Sequence, residues 1–166
     1  MKASELKRRP VVSLADGTRV GEVEDIILEC ATLRLAGLLI ETPNGQSAIR
    51  FESIKSIGEH AVTLEQGSSA LEEPDRVRAD GLRTFAQLRG LRVMNADGSA
   101  LGELRDVDVA PDVGRVAAIE VHRGGLFGVG GSSQTIAAAQ VRAIGPDFVT
   151  ADTPSAPPGE APAREQ

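Results

Sequence analysis

Apolar and polar residues follow one another in short stretches that predict β-strands along most of this chain. Strands are predicted over Val11–Leu14, Arg19–Glu29, Leu33–Thr42, Gln46–Arg50, Ile54–Ile57 and Ala61–Glu65. Turn-forming residues separate them, and no long amphipathic helix pattern intervenes. Short helical turns are predicted over Ser4–Arg9 and Thr84–Arg89, with Ser4 and Thr84 as their N-caps. Many short strands without long helices indicate a small barrel that is closed or nearly closed.

The same pattern occurs twice in the chain. An offset of 81 residues aligns Arg8–Ile40 with Arg89–Val121 without a gap, and ten of the aligned pairs are identical. Further on the offset becomes 87, where Gly58 and Val62 align with Gly145 and Val149. Self-similarity at a fixed period predicts two copies of one structural unit.

We therefore expect an all-β protein of two tandem small β-barrels with short helical turns. The first barrel is predicted over residues 1–66 and the second over residues 84–152, with a linker at 67–83 in which no strand pattern persists. The tail at 153–166 holds four prolines and few large apolar side chains. Such a composition predicts disorder.

Glycine and aspartate recur at matching places in the two units. Asp16-Gly17 and Asp97-Gly98 predict tight turns between paired strands. A glycine within a predicted strand, as at Gly21 and Gly102, is typical of a β-bulge or a close backbone approach. These six residues are assigned to turns and bulges.

Charge and cysteine content exclude several classes of function. The net charge of −6 and the single short basic run, Lys7-Arg8-Arg9, make nucleic acid an unlikely partner. One cysteine, Cys30, allows no internal disulfide and favours a reducing compartment. The longest apolar run is Leu35–Ile40, far short of a membrane helix. We expect a cytoplasmic protein without a transmembrane segment.

Few residues offer catalytic or metal-binding chemistry. The spacing of Glu22 from Asp25 returns in Glu103 and Asp106, and a carboxylate pair could act as general acid and base. No nucleophile or base accompanies them, so charged residues on the outer face of a strand are the preferred interpretation. The two histidines, His60 and His122, are isolated in sequence, as is Cys30. We expect no catalytic residue, no metal and no cofactor.

One loop is present in the second unit only. Residues 124–133 read Gly-Gly-Leu-Phe-Gly-Val-Gly-Gly-Ser-Ser, without the lysine and helix of a phosphate-binding loop. Either the loop is a mobile hairpin tip, or Leu126, Phe127 and Val129 form an apolar knob that contacts a partner. These three residues are the candidate partner contact.

Two stretches resemble the PRC-barrel family. They are VVSLADGTRVGEVEDIIL, from Val11 to Leu28, and GGLFGVGG followed by TIAAAQVRAIG in the second unit. The family's small β-barrel forms the cytoplasmic domain of the photosynthetic reaction-centre H subunit, the C-terminal domain of a bacterial ribosome maturation factor, and many stand-alone proteins. This chain is similar to the stand-alone tandem kind, since a second barrel takes the place of a membrane helix or another domain.

The resemblance implies a binding or assembly module without enzymatic activity. Our first hypothesis is an adaptor that contacts a protein of unknown identity, with a homodimer or packing between the two barrels as further possibilities. The alternative is an RNA-processing or ribosome-associated factor, which would require a basic surface stripe with exposed aromatic rings. The sequence offers neither of these features.

Overall fold

A computed structural model describes residues 1–78, 81–124 and 131–154 of the chain. The first repeat contains helix α1 (Ala3–Leu6) and strands β1 (Pro10–Ser13), β2 (Arg19–Glu29), β3 (Arg34–Thr42), β4 (Gly45–Arg50), β5 (Ser56–Ile57) and β6 (Val62–Leu64), with a 3-10 turn at Phe51–Ser53. A 3-10 turn at Ser68–Ala70, helix α2 (Pro74–Val77) and strand β7 (Leu82–Thr84) follow. The second repeat contains helix α3 (Phe85–Leu88) and strands β8 (Arg92–Asn95), β9 (Ala100–Ala110), β10 (Arg115–Arg123), β11 (Ser132–Ala137), β12 (Val141–Ile144) and β13 (Phe148–Ala151), with a 3-10 turn at Ala138–Gln140.

The structure is mostly β, as the pattern of short apolar stretches predicts. The described strands form one curled sheet in the order β12-β13-β8-β9-β10-β3-β2-β1-β6-β5, with β11 beside β10, β4 beside β3 and β7 beside β2. Neighbours are antiparallel except β1 with β6 and β8 with β13, which occupy equivalent places in the two repeats. The sheet is continuous across both repeats, and closure of each repeat into a separate barrel stays a prediction.

Turns and bulges lie where the glycines predict them. Gly17 and Gly98 have positive φ, at 70° and 86°, in the turns that follow β1 and β8. The ladder between β1 and β2 shifts at Gly21, and the ladder between β8 and β9 shifts at Gly102, so both bulges are present. A Cβ atom on Gly102 would lie 2.4 Å from the backbone oxygen of His122. Position 102 therefore requires glycine, because no side chain fits between β9 and the backbone of β10 there.

The two hairpin turns differ in length by one residue. Val11 lies opposite Gly21, and Val93 lies opposite Gly102, so β1 and β8 are 82 residues apart while β2 and β9 are 81 apart. Before the turn, structurally equivalent residues are therefore 82 positions apart, one more than the offset of the ungapped alignment. The extra residue sits in the first turn, where strand pairing does not constrain the number of residues.

Both short helices are present, with one correction at the first. Thr84 is the N-cap of α3, as predicted, and its N–H donates to the Gln87 side chain at 2.9 Å. The N-cap of α1 is Lys2 rather than Ser4, because the Glu5 carboxylate accepts the Lys2 N–H at 2.9 Å. Ser4 lies inside the helix, where its hydroxyl donates to a carboxylate of the second repeat.

The segment predicted as an irregular linker carries ordered structure. Val77 of α2 is buried against Ile27, Leu39 and Ala48, on the side of the first repeat's sheet that faces away from the main core. Strand β7 pairs with the far end of β2, which β1 is too short to reach. The main core is almost entirely aliphatic and runs through both repeats.

Candidate functional site at the junction of the repeats

The two repeats are joined through strands that are copies of each other. Arg34 at the start of β3 lies opposite Arg115 at the start of β10. The Leu35 N–H donates to the Gly114 oxygen at 2.8 Å, and the Val116 N–H donates to the Leu33 oxygen at 2.9 Å. Each partner in these bonds is 81 residues from its equivalent. The junction is therefore an internal pseudo-twofold contact between equivalent strand ends.

The turn before each of these strands ends in a left-handed residue. Leu33 has φ of 54° and Gly114 has φ of 65°. This conformation is uncommon for residues other than glycine. In each segment, this conformation directs the next residue, Arg34 or Arg115, into the ladder between β3 and β10.

A cleft of about 520 Å³ lies beside this junction. Its apolar lining is Leu35, Ala36, Phe51, Val77, Leu82 and Val113. Its charged lining is Glu29, Arg34, Arg50 and Glu52. The volume falls in the range of about 300–1,000 Å³ that ligand pockets occupy. A cleft lined by both apolar and charged side chains can accept an amphipathic segment.

Phe51 of the first repeat and Val113 of the second repeat both line the cleft. A Cβ atom on Gly114 would lie 2.6 Å from the Phe51 ring, so the ring packs directly on the glycine backbone. Val113, next to it in the turn, is 58% exposed, more than any other large apolar side chain in the described part of the chain. An exposed valine beside an aromatic ring favours contact with another apolar group.

The charged residues of the cleft differ in how they are held. Arg50 donates to Glu72 at 2.6 Å and to the Arg76 oxygen at 3.4 Å, so its guanidinium is fixed. Arg34 and Arg115 are exposed and lie within ion-pair distance of no carboxylate in the described ranges. Glu29 is opposite Arg34 on β2, and the Thr32 hydroxyl donates to it at 2.8 Å. The two arginines remain available to an anionic group.

Three residues that line the cleft differ from those at the equivalent positions of the second repeat. At an offset of 87, Arg50, Phe51 and Glu52 correspond to Ala137, Ala138 and Ala139. The second repeat therefore lacks the aromatic wall and the charged corner. Neither Phe51 nor the two arginines were among the candidate residues predicted from the sequence. The difference between Phe51 and Ala138 at equivalent positions is the sequence signal that marks this site.

The repeated aspartates have a structural role that differs from the outer-face interpretation. Asp25 and Asp106 are only 6% and 7% exposed. Asp25 accepts the N–H of Ala86 at 2.9 Å, and Asp106 accepts the N–H of Ser4 at 3.2 Å. Each carboxylate thus binds the helix that begins the other repeat. The outer-face interpretation is wrong, because the strand's neighbouring helix buries the position.

The turn aspartates act as predicted. Asp16 accepts the N–H and the hydroxyl of Thr18, and these bonds lower the pKa of the Asp16 carboxyl. Asp97 accepts the N–H of Ser99 at 2.9 Å and its hydroxyl at 2.6 Å. Both aspartates stabilise the turn at which they stand.

The isolated histidines and the cysteine lie apart from the cleft's lining. His60 is exposed, and His122 is half-buried with Nδ1 3.4 Å from the Ser133 hydroxyl. Cys30 is buried in the turn after β2, and burial raises the pKa of its thiol while Arg83 opposes that shift. Across residues 1–78, 81–124 and 131–154, no three His, Cys, Asp or Glu side chains are grouped so as to hold a metal ion.

The candidate knob of Leu126, Phe127 and Val129 lies outside the described residues. It stays a prediction.

A second groove lies between α1 and α3. Its charged residues are Lys2, Lys7, Arg89 and Arg105 together with Glu5, Asp106 and Glu120. Lys2 is paired with Glu120 at 2.8 Å. The nearly balanced charge gives this groove no strong attraction for a polyanion.

Comparison with known proteins places the chain in a family. A family model for the PRC-barrel domain matches residues 1–71 and again residues 80–156. The chain belongs to the PRC-barrel family. The two matches correspond to the two repeats, so the resemblance based on the repeated motifs is confirmed, and the junction cleft lies between two PRC-barrel repeats.

No curated protein sequence matches this PRC-barrel chain. Among the residues that the structure describes, no helix has the length and apolar character needed to cross a membrane.

Proposed function

We propose that this PRC-barrel protein is a non-enzymatic protein-binding or assembly module, and that the junction cleft is its contact surface. The observation that carries the proposal is the cleft beside Arg34 and Arg115, which form no ion pair within the described ranges. The aromatic wall of this cleft, Phe51, has Ala138 at the equivalent position of the second repeat. A feature shared by both repeats serves the common fold. A feature of one repeat is available for a particular partner.

The chemistry of the cleft suits a protein segment. Apolar side chains of a partner would bury against Phe51 and Val113, and a carboxylate of the partner would pair with Arg34. Arginine and large aromatic residues contribute strongly to binding free energy at protein interfaces. Apolar contacts flanked by polar or charged ones are usual at protein interfaces.

The absence of catalysis is part of the proposal and rests on the roles of the carboxylates. Asp25 and Asp106 are both engaged by backbone N–H groups, and Asp16 and Asp97 are engaged in turns. These four repeated aspartates thus support the fold. The cytoplasmic location stays a prediction.

An RNA-associated role is the weaker alternative. The groove between α1 and α3 gathers four cations, but three carboxylates share it. Its one aromatic residue, Phe85, is buried and offers no ring for base stacking. A salt-dependent shift of RNA in a native gel would favour this alternative.

Site-specific photo-cross-linking in the native cell tests the proposal. A photo-reactive amino acid replaces Val113 in the cleft or, as the matched control, Leu14, which is also exposed but lies in the turn at the opposite end of β2. We expect a protein to be captured from position 113 and not from position 14. Capture of the same proteins from both positions would contradict the proposal.

Charge reversal tests the arginines in the same experiment. Arg34→Glu should remove the captured protein, whereas Arg92→Glu, an exposed arginine outside the cleft, should leave it. Phe127→Asp tests the predicted knob separately. If only Phe127→Asp abolishes capture, the contact surface is the knob and not the cleft.

A further inference from the structure

The two opposed arginines of the junction form a pair of uncompensated cations. Arg34 and Arg115 occupy a non-hydrogen-bonded position of the β3–β10 ladder, because the two bonds there are made by their sequence neighbours. Side chains opposite each other at such a position share one face, with Cβ atoms about 4.5–5.5 Å apart. Both arginines are exposed, and across residues 1–78, 81–124 and 131–154 neither lies within ion-pair distance of a carboxylate.

The rest of this row across the sheet supplies little negative charge. Glu29 lies opposite Arg34 on β2. Ala110 lies opposite Arg115 on β9. The Glu29 carboxylate accepts a hydrogen bond from the Thr32 hydroxyl at 2.8 Å. One carboxylate cannot neutralise two guanidinium groups, so the row keeps an excess of positive charge.

The charges of the arginine pair oppose folding. Like charges directly opposite each other in an antiparallel pair destabilise it. The electrostatic term at this position becomes favourable when an anion contacts both guanidinium groups. The pair is therefore better suited to binding an anion than to supporting the fold.

An apolar surface adjoins the arginine pair. Arg34 lines the same cleft as Phe51 and Val113. The Phe51 ring packs on the backbone of Gly114, the residue before Arg115. Val113 is the most exposed of the large apolar side chains in the described ranges. An anion that reaches the pair can thus bring an attached apolar group into contact with the cleft.

We propose that Arg34 and Arg115 together bind a phosphate monoester, namely a phosphorylated side chain of the protein that occupies the cleft; this assignment rests on the proposed function of the cleft. A phosphate monoester carries about 1.5 to 2 negative charges at pH 7 and has three acceptor oxygens, so one group can contact both guanidinium groups. A carboxylate carries one charge, and a single arginine occupies both of its oxygens in a bidentate pair. Apolar residues next to the phosphorylated one pack on Phe51 and Val113.

Binding of phenyl phosphate to the full chain tests the site directly. Benzoate, which has the same ring and a carboxylate, is the matched probe. The NMR signals of the arginine Nε–H groups report on Arg34 and Arg115. We expect both signals to shift until saturation, with phenyl phosphate bound at least about tenfold more tightly than benzoate. Equal affinities for the two probes, or no shift at either arginine, would overturn the proposal.

Single substitutions test whether both arginines take part. Arg34→Gln and Arg115→Gln should each weaken phenyl phosphate binding at least about tenfold, because each removes charge-assisted hydrogen bonds. Both variants should stay folded, since each relieves the repulsion in the pair. Arg123→Gln, at an exposed position opposite Ser132, is the control and should bind the probe unchanged. Weaker binding in only one of the two variants would mean that a single arginine forms the site, and the proposal would be wrong.

Phosphatase treatment distinguishes this proposal from the proposed function. Cross-linking from position 113 is repeated in cell lysates with and without prior phosphatase treatment, and the treatment should abolish capture. Undiminished capture would overturn the phosphate assignment while protein binding at the cleft stands. Absence of capture in both lysates would overturn the proposed function and, with it, the assignment of the phosphate to a protein.

Discussion

Arg34 and Arg115 lie directly opposite each other in the antiparallel ladder between β3 and β10. The hydrogen bonds of this ladder are made by the residues on either side of them, which makes the arginines a non-hydrogen-bonded pair with side chains on the same face. Opposed side chains at such a position are close, and like charges there are destabilising. The structure thus holds two equivalent cations together at the centre of its internal pseudo-symmetry.

Charge reversal at one arginine should stabilise the protein. Arg115→Glu places a carboxylate opposite Arg34 and converts repulsion into attraction, which should raise the free energy of unfolding by about 0.5–1 kcal/mol. Urea denaturation measures the change, and Arg123→Glu, at an exposed position opposite Ser132, is the control. The same substitution should weaken partner capture, because the anion site is lost. A stability equal to that of the control would show that the two arginines do not interact.

The two repeated glycine positions of the second hairpin should differ in their tolerance of alanine. At Gly98 a Cβ atom meets no atom within 4 Å, so Gly98→Ala should cost only the left-handed conformation, about 1 kcal/mol. At Gly102 the Cβ atom would lie 2.4 Å from the backbone oxygen of His122. Gly102→Ala should therefore cost at least about 2 kcal/mol more. Thermal unfolding compares them, and equal losses would refute the close approach.

Removal of a buried aspartate should loosen the connection between the repeats. Asp106→Ala leaves the Ser4 N–H and hydroxyl without their acceptor, which should lower the free energy of unfolding by about 1–3 kcal/mol. Asp112→Ala, at an exposed turn position, is the control and should change little. The amides of α1 should also exchange faster in Asp106→Ala. Unchanged exchange there would mean that other contacts hold the helix.

The buried thiol should react slowly with alkylating reagents. Burial raises the pKa of Cys30, so less of it is thiolate in the folded protein than in the unfolded chain at the same pH. We expect iodoacetamide at pH 8 to modify Cys30 more slowly in native protein than in urea. Because the folded pKa is the higher one, the thiol's contribution to stability is present below the unfolded pKa and is lost as pH rises through the folded pKa. Equal alkylation rates would contradict the burial of Cys30.

Much of the local structure follows from residue pattern alone. The strands, the Asp16-Gly17 turn and the bulge at Gly21 depend on side-chain alternation and on glycine's backbone freedom, both of which are local properties. Their repetition at Asp97-Gly98 and Gly102 makes the duplication visible. The buried state of Asp25 was missed, because a carboxylate in a strand gives no sign of a helix 61 residues away that donates to it.

The sequence by itself determined that this protein is two copies of one β-rich unit with turns and bulges at set positions, since strand periodicity and turn chemistry act over a few residues. Only the tertiary structure decided that Arg34 meets Arg115, that each repeat's first helix binds the other repeat, and that Phe51 and Val113 share one cleft. Those contacts join residues tens of positions apart. They depend on which strand ends meet in the folded protein, and no local pattern records that.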